Sequence, residues 1–362
     1  MITKKVTFGG AGITRRISIG GDAPVSLQTM WKESIVGIRN DHFKLEKTLK
    51  VLNDLSLLGC DIVRFAVPDK ESAESLVAIA ERTPIPLVAD IHFDYKLALD
   101  CLKGSVAAIR INPGNIGSVE NTKKVVNACR EKGAAIRIGI NSGSLPKDLQ
   151  NLIFEKKITR SQAICETAVR EMEVFDSLGF DQVVVSMKSS SVQETIDSNR
   201  YFASKYDSPL HLGVTEAGPL IGGIVKSSIA FSTLLSEGIG NTIRVSLSSS
   251  PENEVVAGLE ILKECGRRSG GVKIVSCPRC GRIGFDVHSF VEKWQTELLS
   301  LNKDITVAVM GCVVNGPGEG KHADLGIAGA NDKVIIFKKG KIVQTIDAKD
   351  ADNAFREQLN QL

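Results

Sequence analysis

From Pro24 onward, short apolar runs alternate with longer amphipathic stretches. The runs Val25–Met30, Ile62–Val67, Pro86–Ile91, Ala107–Asn112, Ala135–Ile140, Gln182–Lys188, Leu210–Thr215 and Thr242–Leu247 have the length and composition of strands. Between them, spacings such as Leu45–Leu49–Leu52–Leu55 and Ile164–Ala168–Met172–Phe175 gather apolar side chains on one helical face. Gly59, Gly104, Gly133, Gly179 and Gly240 stand where such helices would stop, just before the next strand. Eight strands, each followed by a helix, predict an α/β fold, a parallel (β/α)8 TIM barrel over residues 25 to 265. An open doubly wound sheet is the alternative, and it needs no eightfold count.

Ahead of the barrel, Lys4–Gly20 reads as a β-hairpin that would plug the barrel floor. Gly266–Gly271 (GRRSGG) reads as a linker. After it a strand enters Cys277, a helix covers about Asp286–Leu301, and a strand Ile305–Val309 leads into a glycine-rich loop. Lys333–Ile346 has the pattern of a hairpin turning at Lys339–Gly340, and a terminal helix closes the chain. The expected organisation is therefore a barrel domain over 1–265, a linker over 266–271 and a small α+β domain over 272–362. A net charge of +3 gives no support to a nucleic-acid partner. No run approaches a membrane span, and Met1–Gly10 lacks the apolar centre of a signal peptide, so a cytoplasmic protein without a membrane partner is expected.

Residues two apart on a strand share a face, and this parity exposes a pattern of charge. In Ile109-Arg110-Ile111-Asn112 the isoleucines face one way, Arg110 and Asn112 the other; Ile136–Asn141 repeats the pattern with Arg137 and Asn141. Asp90 and His92 share a parity, as do Arg244, Ser246 and Ser248. With apolar faces packed on the outer helices, these polar faces point into the barrel near its C-terminal mouth. Arg64 and Lys188 bring the inward cations to five, against mainly Asp90 and Glu216. Guanidinium forks match phosphate oxygens, so the excess charge points to a phosphorylated ligand. The alternative is a set of interior salt bridges between barrel layers. His92 and His211, at strand ends, fit either a ligand contact or an ordinary hydrogen bond.

Of eight cysteines, Cys60, Cys101, Cys129, Cys165 and Cys265 lie in or beside expected helices and read as small buried hydrophobes. Cys277-Pro-Arg-Cys280-Gly and Met310-Gly-Cys312-Val-Val-Asn-Gly-Pro-Gly-Glu319 are different. A zinc ribbon would bring a second CxxC, but a single cysteine follows; a thioredoxin-like motif would leave Cys312 unused. Three soft ligands suit an iron–sulfur cluster that needs one more donor. Glu319 lies in the same loop, and Gly316, Pro317 and Gly318 let the backbone turn it back. A barrel with a zinc-stabilised binding tail, and a pterin-binding transferase with idle cysteines, are the rival readings.

The motifs ADIHFD (Ala89–Asp94), RINPGNIG (Arg110–Gly117), TEAG (Thr215–Gly218), SEGIG with RVS, and GCVVNGPGE (Gly311–Glu319) resemble the 4-hydroxy-3-methylbut-2-en-1-yl diphosphate synthase family, in its two-domain bacterial form, over essentially the whole chain. The resemblance implies a 4Fe-4S cluster on Cys277, Cys280, Cys312 and Glu319. It implies 2-C-methyl-D-erythritol 2,4-cyclodiphosphate as substrate, opened and dehydrated by two electrons from flavodoxin or ferredoxin. Pro219-Leu220-Ile221 is more apolar than the family pattern after TEAG, and Thr29 stands where serine is more usual. Glu216, at the mouth, is the candidate proton donor for the departing hydroxyl. The last barrel helix should end at the floor, about 20 Å from the mouth by helix rise. The linker covers about that distance only when fully stretched. A head-to-tail homodimer, in which each small domain caps its partner's barrel, removes the difficulty, and the resemblance points the same way.

Overall fold

The computed structural model describes residues 2–278, 280, 284–301, 303–313, 316, 318–330 and 333–362, without the side chains of Pro113 and Glu319. The chain forms two compact units, Met1–Arg268 and Ser269–Leu362.

In the first unit, strands β1 (Val6–Phe8) and β2 (Ile17–Ile19) pair antiparallel. Eight further strands follow: β3 (Ser26–Met30), β4 (Ile62–Ala66), β5 (Leu87–Asp90), β6 (Ala108–Ile111), β7 (Ala135–Asn141), β8 (Val183–Lys188), β9 (His211–Leu212) and β10 (Thr242–Ile243). All pair parallel in the order β8-β7-β6-β5-β4-β3-β10-β9, and a parallel bridge between Val185 and Leu210 joins the two ends into a ring. Each apolar run of the sequence thus becomes one stave. The last two staves are far shorter than their apolar runs, because the residues beyond Leu212 and Ile243 leave the ladder.

Side-chain acceptors start most of the intervening helices. Asp41, Asp69, Asp94, Ser118, Ser191 and Ser250 each accept a backbone N–H of the first turn. Thr159 and Gln162 complete a reciprocal capping box. The helix Lys147–Phe154 was not expected; only Leu149 on it is buried, so it carries little apolar periodicity. The β1–β2 hairpin buries Val6, Phe8 and Ile19 against Ile62, Val88, Ala108, Ala135 and Val184, near the strand starts. It is the floor plug. The last barrel helix, Pro251–Glu264, also ends there: Arg267 donates to the Leu235 carbonyl, and Arg268 Nη1 lies 3.0 Å from Asp61 Oδ2, just before β4.

The second unit is a five-stranded mixed sheet, β11 (Lys273–Ser276), β12 (Thr306–Met310), β13 (Leu325–Ala330), β14 (Lys333–Lys338) and β15 (Lys341–Asp347), in that order. β11, β12 and β13 run parallel, and the remaining pairings are antiparallel. Helices Val287–Leu299 and Ala351–Asn360 supply Phe290, Trp294 and Phe355 to the apolar core over Val307, Val309, Ile327, Val334 and Ile336. The sequence reading missed β13, whose LGIAGA composition resembles loop. Its glycine has a packing reason, since a Cβ on Gly326 would stand 2.1 Å from the buried ring of Phe337. Among the described residues no helix is long and apolar enough to cross a membrane.

Candidate active site

A polar cavity of about 210 Å³ opens among the C-terminal ends of the barrel strands. Nine residues expected from strand parity line it: Arg64, Asp90, His92, Arg110, Arg137, Asn141, Lys188, Arg244 and Ser246. Strand register explains the convergence, because Asp90, Arg110 and Arg137 pair side by side on β5, β6 and β7. Met30, Gly139, Ser186 and Thr215 complete the lining. Three expected residues do not line it. Asn112 is buried where the chain leaves β6; His211 is fully buried on β9 with Nδ1 3.4 Å from Thr242 Oγ1; Glu216 is exposed in the loop after β9.

Asp90 is the hub. Its Oδ1 accepts Arg110 Nη1 at 3.0 Å, while Oδ2 faces Arg64 Nε at 3.4 Å and His92 Nε2 at 3.5 Å. Burial alone would raise this carboxyl, but Arg64, His92 and Arg110 together hold it well below the usual carboxylate range. Arg110 lies across Gly139, where a Cβ would come within 2.3 Å of its Nε, so glycine is the residue that admits the guanidinium. Arg137 donates through Nη1 to Gln28 Oε1 at 2.6 Å. Burial, and then the neighbouring cations, depress the affinity of Arg137, Lys188 and His211 for their protons. Burial, only partly offset by Asp90, brings Arg64 down to about 10. Gln28 Nε2, Arg137 Nη2, Ser186 Oγ and His211 Nε2 are buried without a hydrogen-bond partner among the described residues. Such groups are costly unless something pairs with them. Of these, Arg137 and Ser186 line the cavity, and with the excess of cations there they give it the chemistry to pair with oxygen acceptors of an anion.

The balancing carboxylate near Arg244 is Glu254, not the expected Glu216. Glu254 is fully buried in the first turn of the last barrel helix, with Oε2 3.6 Å from Arg244 Nε and Oε1 2.9 Å from Lys32 Nζ.

In the second unit, Cys277 follows β11 and Cys312 follows β12, on paired strands where Ser276 is in register with Val309. Gly311 N–H donates to Cys277 Sγ at 3.1 Å, and Gly284 N–H donates to the Gly311 carbonyl at 2.8 Å. Cys277 and Cys312 are half-buried and Cys280 is exposed. Glu319 opens a short turn, Glu319–His322, but its side chain lies outside the described residues. Among the described residues no three His, Cys, Asp or Glu side chains converge closely enough to hold a single metal ion. The remaining cysteines differ in kind. Cys60, Cys101, Cys129 and Cys165 are buried, and burial pushes their thiols up to about 12, 12, 12 and 11. Cys265 caps the last barrel helix and is only half-buried, against the expectation that it is core.

Residues 11–259 match the GcpE TIM-barrel domain, and residues 273–361 match the GcpE protein C-terminal domain. The chain belongs to the GcpE family. Proteins named 4-hydroxy-3-methylbut-2-en-1-yl diphosphate synthase (flavodoxin) from Treponema denticola and Treponema pallidum are each 56% identical to it, over 100% and 99% of this chain and 99% and 92% of theirs. One of the same name from Clostridium acetobutylicum is 46% identical over 98% of this chain and 97% of its own.

For a GcpE barrel, strand parity found the cations but missed Gln28 and Glu254, which face them, and Ser186, which lines the cavity beside them. Gln28 and Ser186 are inward residues on β3 and β8 that carry no charge to attract notice. Glu254 sits three residues after Pro251, where an acidic residue reads as a partner of the helix dipole. A signal was present nonetheless. Glu254 shares its helical face with Gly258, Ile261 and Leu262, all buried, and a carboxylate on an apolar face needs a partner.

Proposed function

We propose that this chain converts 2-C-methyl-D-erythritol 2,4-cyclodiphosphate to 4-hydroxy-3-methylbut-2-enyl diphosphate in the non-mevalonate isoprenoid pathway, with flavodoxin as electron donor. The relatives' names give the reaction class. The observation that carries the reading to residues is the cavity, where Arg64, Arg110, Arg137, Lys188 and Arg244 surround a space lined, among the described residues, by one carboxylate, Asp90. Two electrons and two protons enter, the carbon–oxygen bond of the ring breaks, and one water leaves. The barrel cations hold the diphosphate, and a bound dianion favours the protonated form of Lys188, which burial disfavours. His92, Asn112, Asn141, His211 and Ser246 surround or support the sugar-derived part. Glu216 supplies the proton to the leaving hydroxyl.

The second unit is read as the redox domain of a cytoplasmic enzyme. Its donor set fits a 4Fe-4S cluster: the unit's three cysteines are half-buried or exposed, and one already accepts a backbone N–H on sulfur as thiolate ligands do. Cys277, Cys280, Cys312 and Glu319 would hold the cluster, which supplies one-electron transfer. The test is product formation by anaerobically prepared, iron-loaded protein with reduced flavodoxin. Arg244→Lys keeps the charge but loses the fork, so KM should rise about tenfold. Absence of product from protein with verified iron and sulfide would sink the reading.

We read the working unit as a head-to-tail homodimer with each site shared between two chains. The barrel's last residues lie on its floor, beside Asp61, while the cation cavity opens at the opposite end of the strands. Mixing Glu216→Ala with Cys312→Ser protein under subunit exchange should restore activity, because each mixed dimer regains one intact pair. A mixture that stays inactive after exchange is demonstrated by mass tagging would mean that each chain closes its own site.

A further inference from the structure

Four of the five clamp cations stand on regular strands: Arg64 on β4, Arg110 on β6, Arg137 on β7 and Lys188 on β8. Their direction is set by the ladder. Arg244 stands just past the end of β10 at Ile243: its N–H makes the last ladder bond, to the Leu212 carbonyl at 3.0 Å, and residues 245–250 then run without regular structure into the helix Pro251–Glu264. Beyond that bond, side chains must hold the segment. One buried side chain touches both Arg244 and Leu247. Glu254 Oε1 accepts the Leu247 N–H at 3.0 Å and faces Lys32 Nζ at 2.9 Å. Glu254 Oε2 accepts Thr29 Oγ1 at 2.7 Å and faces Arg244 Nε at 3.6 Å. Lys32 in turn donates to the Leu247 carbonyl at 2.8 Å and to the Ser249 carbonyl. The carboxylate therefore clips the end of the first barrel strand to the segment after the last.

We propose that Glu254 is a positioning residue for substrate binding, holding Arg244 and the Leu247–Ser249 backbone in the geometry that grips the diphosphate. The proposal rests on the phosphate-clamp reading above. It makes a prediction opposite in sign to simple electrostatics. A negative charge beside an anion site should weaken anion binding, so neutralising it should tighten the site if charge were its only effect. A positioning role requires the reverse.

The experiment uses full-length, cluster-loaded protein, with KM and kcat measured for the cyclic diphosphate and binding of inorganic diphosphate measured by calorimetry. Glu254→Gln should raise KM and the diphosphate Kd by about tenfold, the scale of one lost charge-assisted contact, with kcat changed by less than about threefold. Glu254→Asp keeps the charge but loses the reach, and should weaken binding in the same direction. Because Glu254 acts through Arg244, the Glu254→Gln effect should largely vanish in an Arg244→Lys background. Thr29→Val removes only the hydroxyl that orients Oε2; it should give a smaller loss of the same sign and serves if Glu254→Gln does not fold. Tighter binding in Glu254→Gln, parental binding in Glu254→Asp, or full additivity with Arg244→Lys would overturn the proposal. Parental binding in Arg244→Lys itself would instead overturn the clamp reading.

Discussion

Serine in place of Cys312 is expected to abolish iron loading and turnover together. A thiolate is a soft ligand to iron and a serine hydroxyl is not, so if Cys312 holds a cluster iron the substitution would leave that iron under-coordinated. Loss of a mere supporting contact to a ligand typically costs ~10–100-fold, so loss of the ligand should lower turnover by more than about a hundredfold. The position of the sulfur supports this. Cys312 directly follows Gly311, whose N–H is given to Cys277 and whose carbonyl receives the Gly284 N–H. Two candidate ligands are thus tied through one glycine. Cys277→Ser and Cys280→Ser should behave like Cys312→Ser. Glu319→Ala should retain part of the iron while losing most activity, because a carboxylate is the weaker and more replaceable ligand. The internal control is Cys129→Ser, since Cys129 is fully buried in the barrel and its thiol is pushed up to about 12 by that burial. It should keep iron, sulfide and the brown absorbance at parental levels. Full cluster content and turnover in Cys312→Ser would remove that cysteine from the ligand set.

The barrel was legible because its two faces obey different chemistry. On β6 and β7, isoleucines alternate with Arg110 and Arg137, so a period of two separates what packs outward from what faces the cavity. The floor hairpin and the small domain's helices were legible for the same reason. Legibility failed where a residue's task depends on a distant partner. β13 carries glycine at position 326 because Phe337 occupies the space a side chain would fill, and no local pattern announces that ring. His211 sits at a strand end as expected, but it is sealed beside Thr242 and does not line the cavity, a matter of depth that parity cannot give. Glu254 is the plainest case. Its neighbours in sequence describe a helix start, whereas Thr29, Lys32 and Arg244 describe its function.

Glutamine in place of Glu216 is expected to lower kcat by about 10²–10⁴-fold, the usual contribution of a positioned acid or base, while KM changes little. The carboxyl does not line the cation-lined cavity, so binding should not depend on it. The backbone there is uncommon, shared among the described non-glycine residues with Lys156 and Lys339. Glu216 has φ of 50°, in the left-handed region that side chains other than glycine seldom occupy. The surrounding loop enforces it: Thr215 N–H donates to the Ser189 carbonyl at 3.0 Å, Lys226 Nζ to the Ala217 carbonyl at 3.1 Å, and Ser248 N–H to the Gly218 carbonyl at 3.1 Å. Glycine would fit this backbone without strain, whereas glutamate carries a local cost on the order of 1 kcal/mol there. That asymmetry supplies the control. Glu216→Gly should melt at or above the parental temperature and Glu216→Gln close to it, since the side chain is exposed, yet both should lose turnover alike. A structural role would instead lower stability in at least one of them. Parental kcat in Glu216→Gln would show that the proton reaches the leaving hydroxyl from another group, and His92, the exposed partner of Asp90 at the same mouth, would be the next to test.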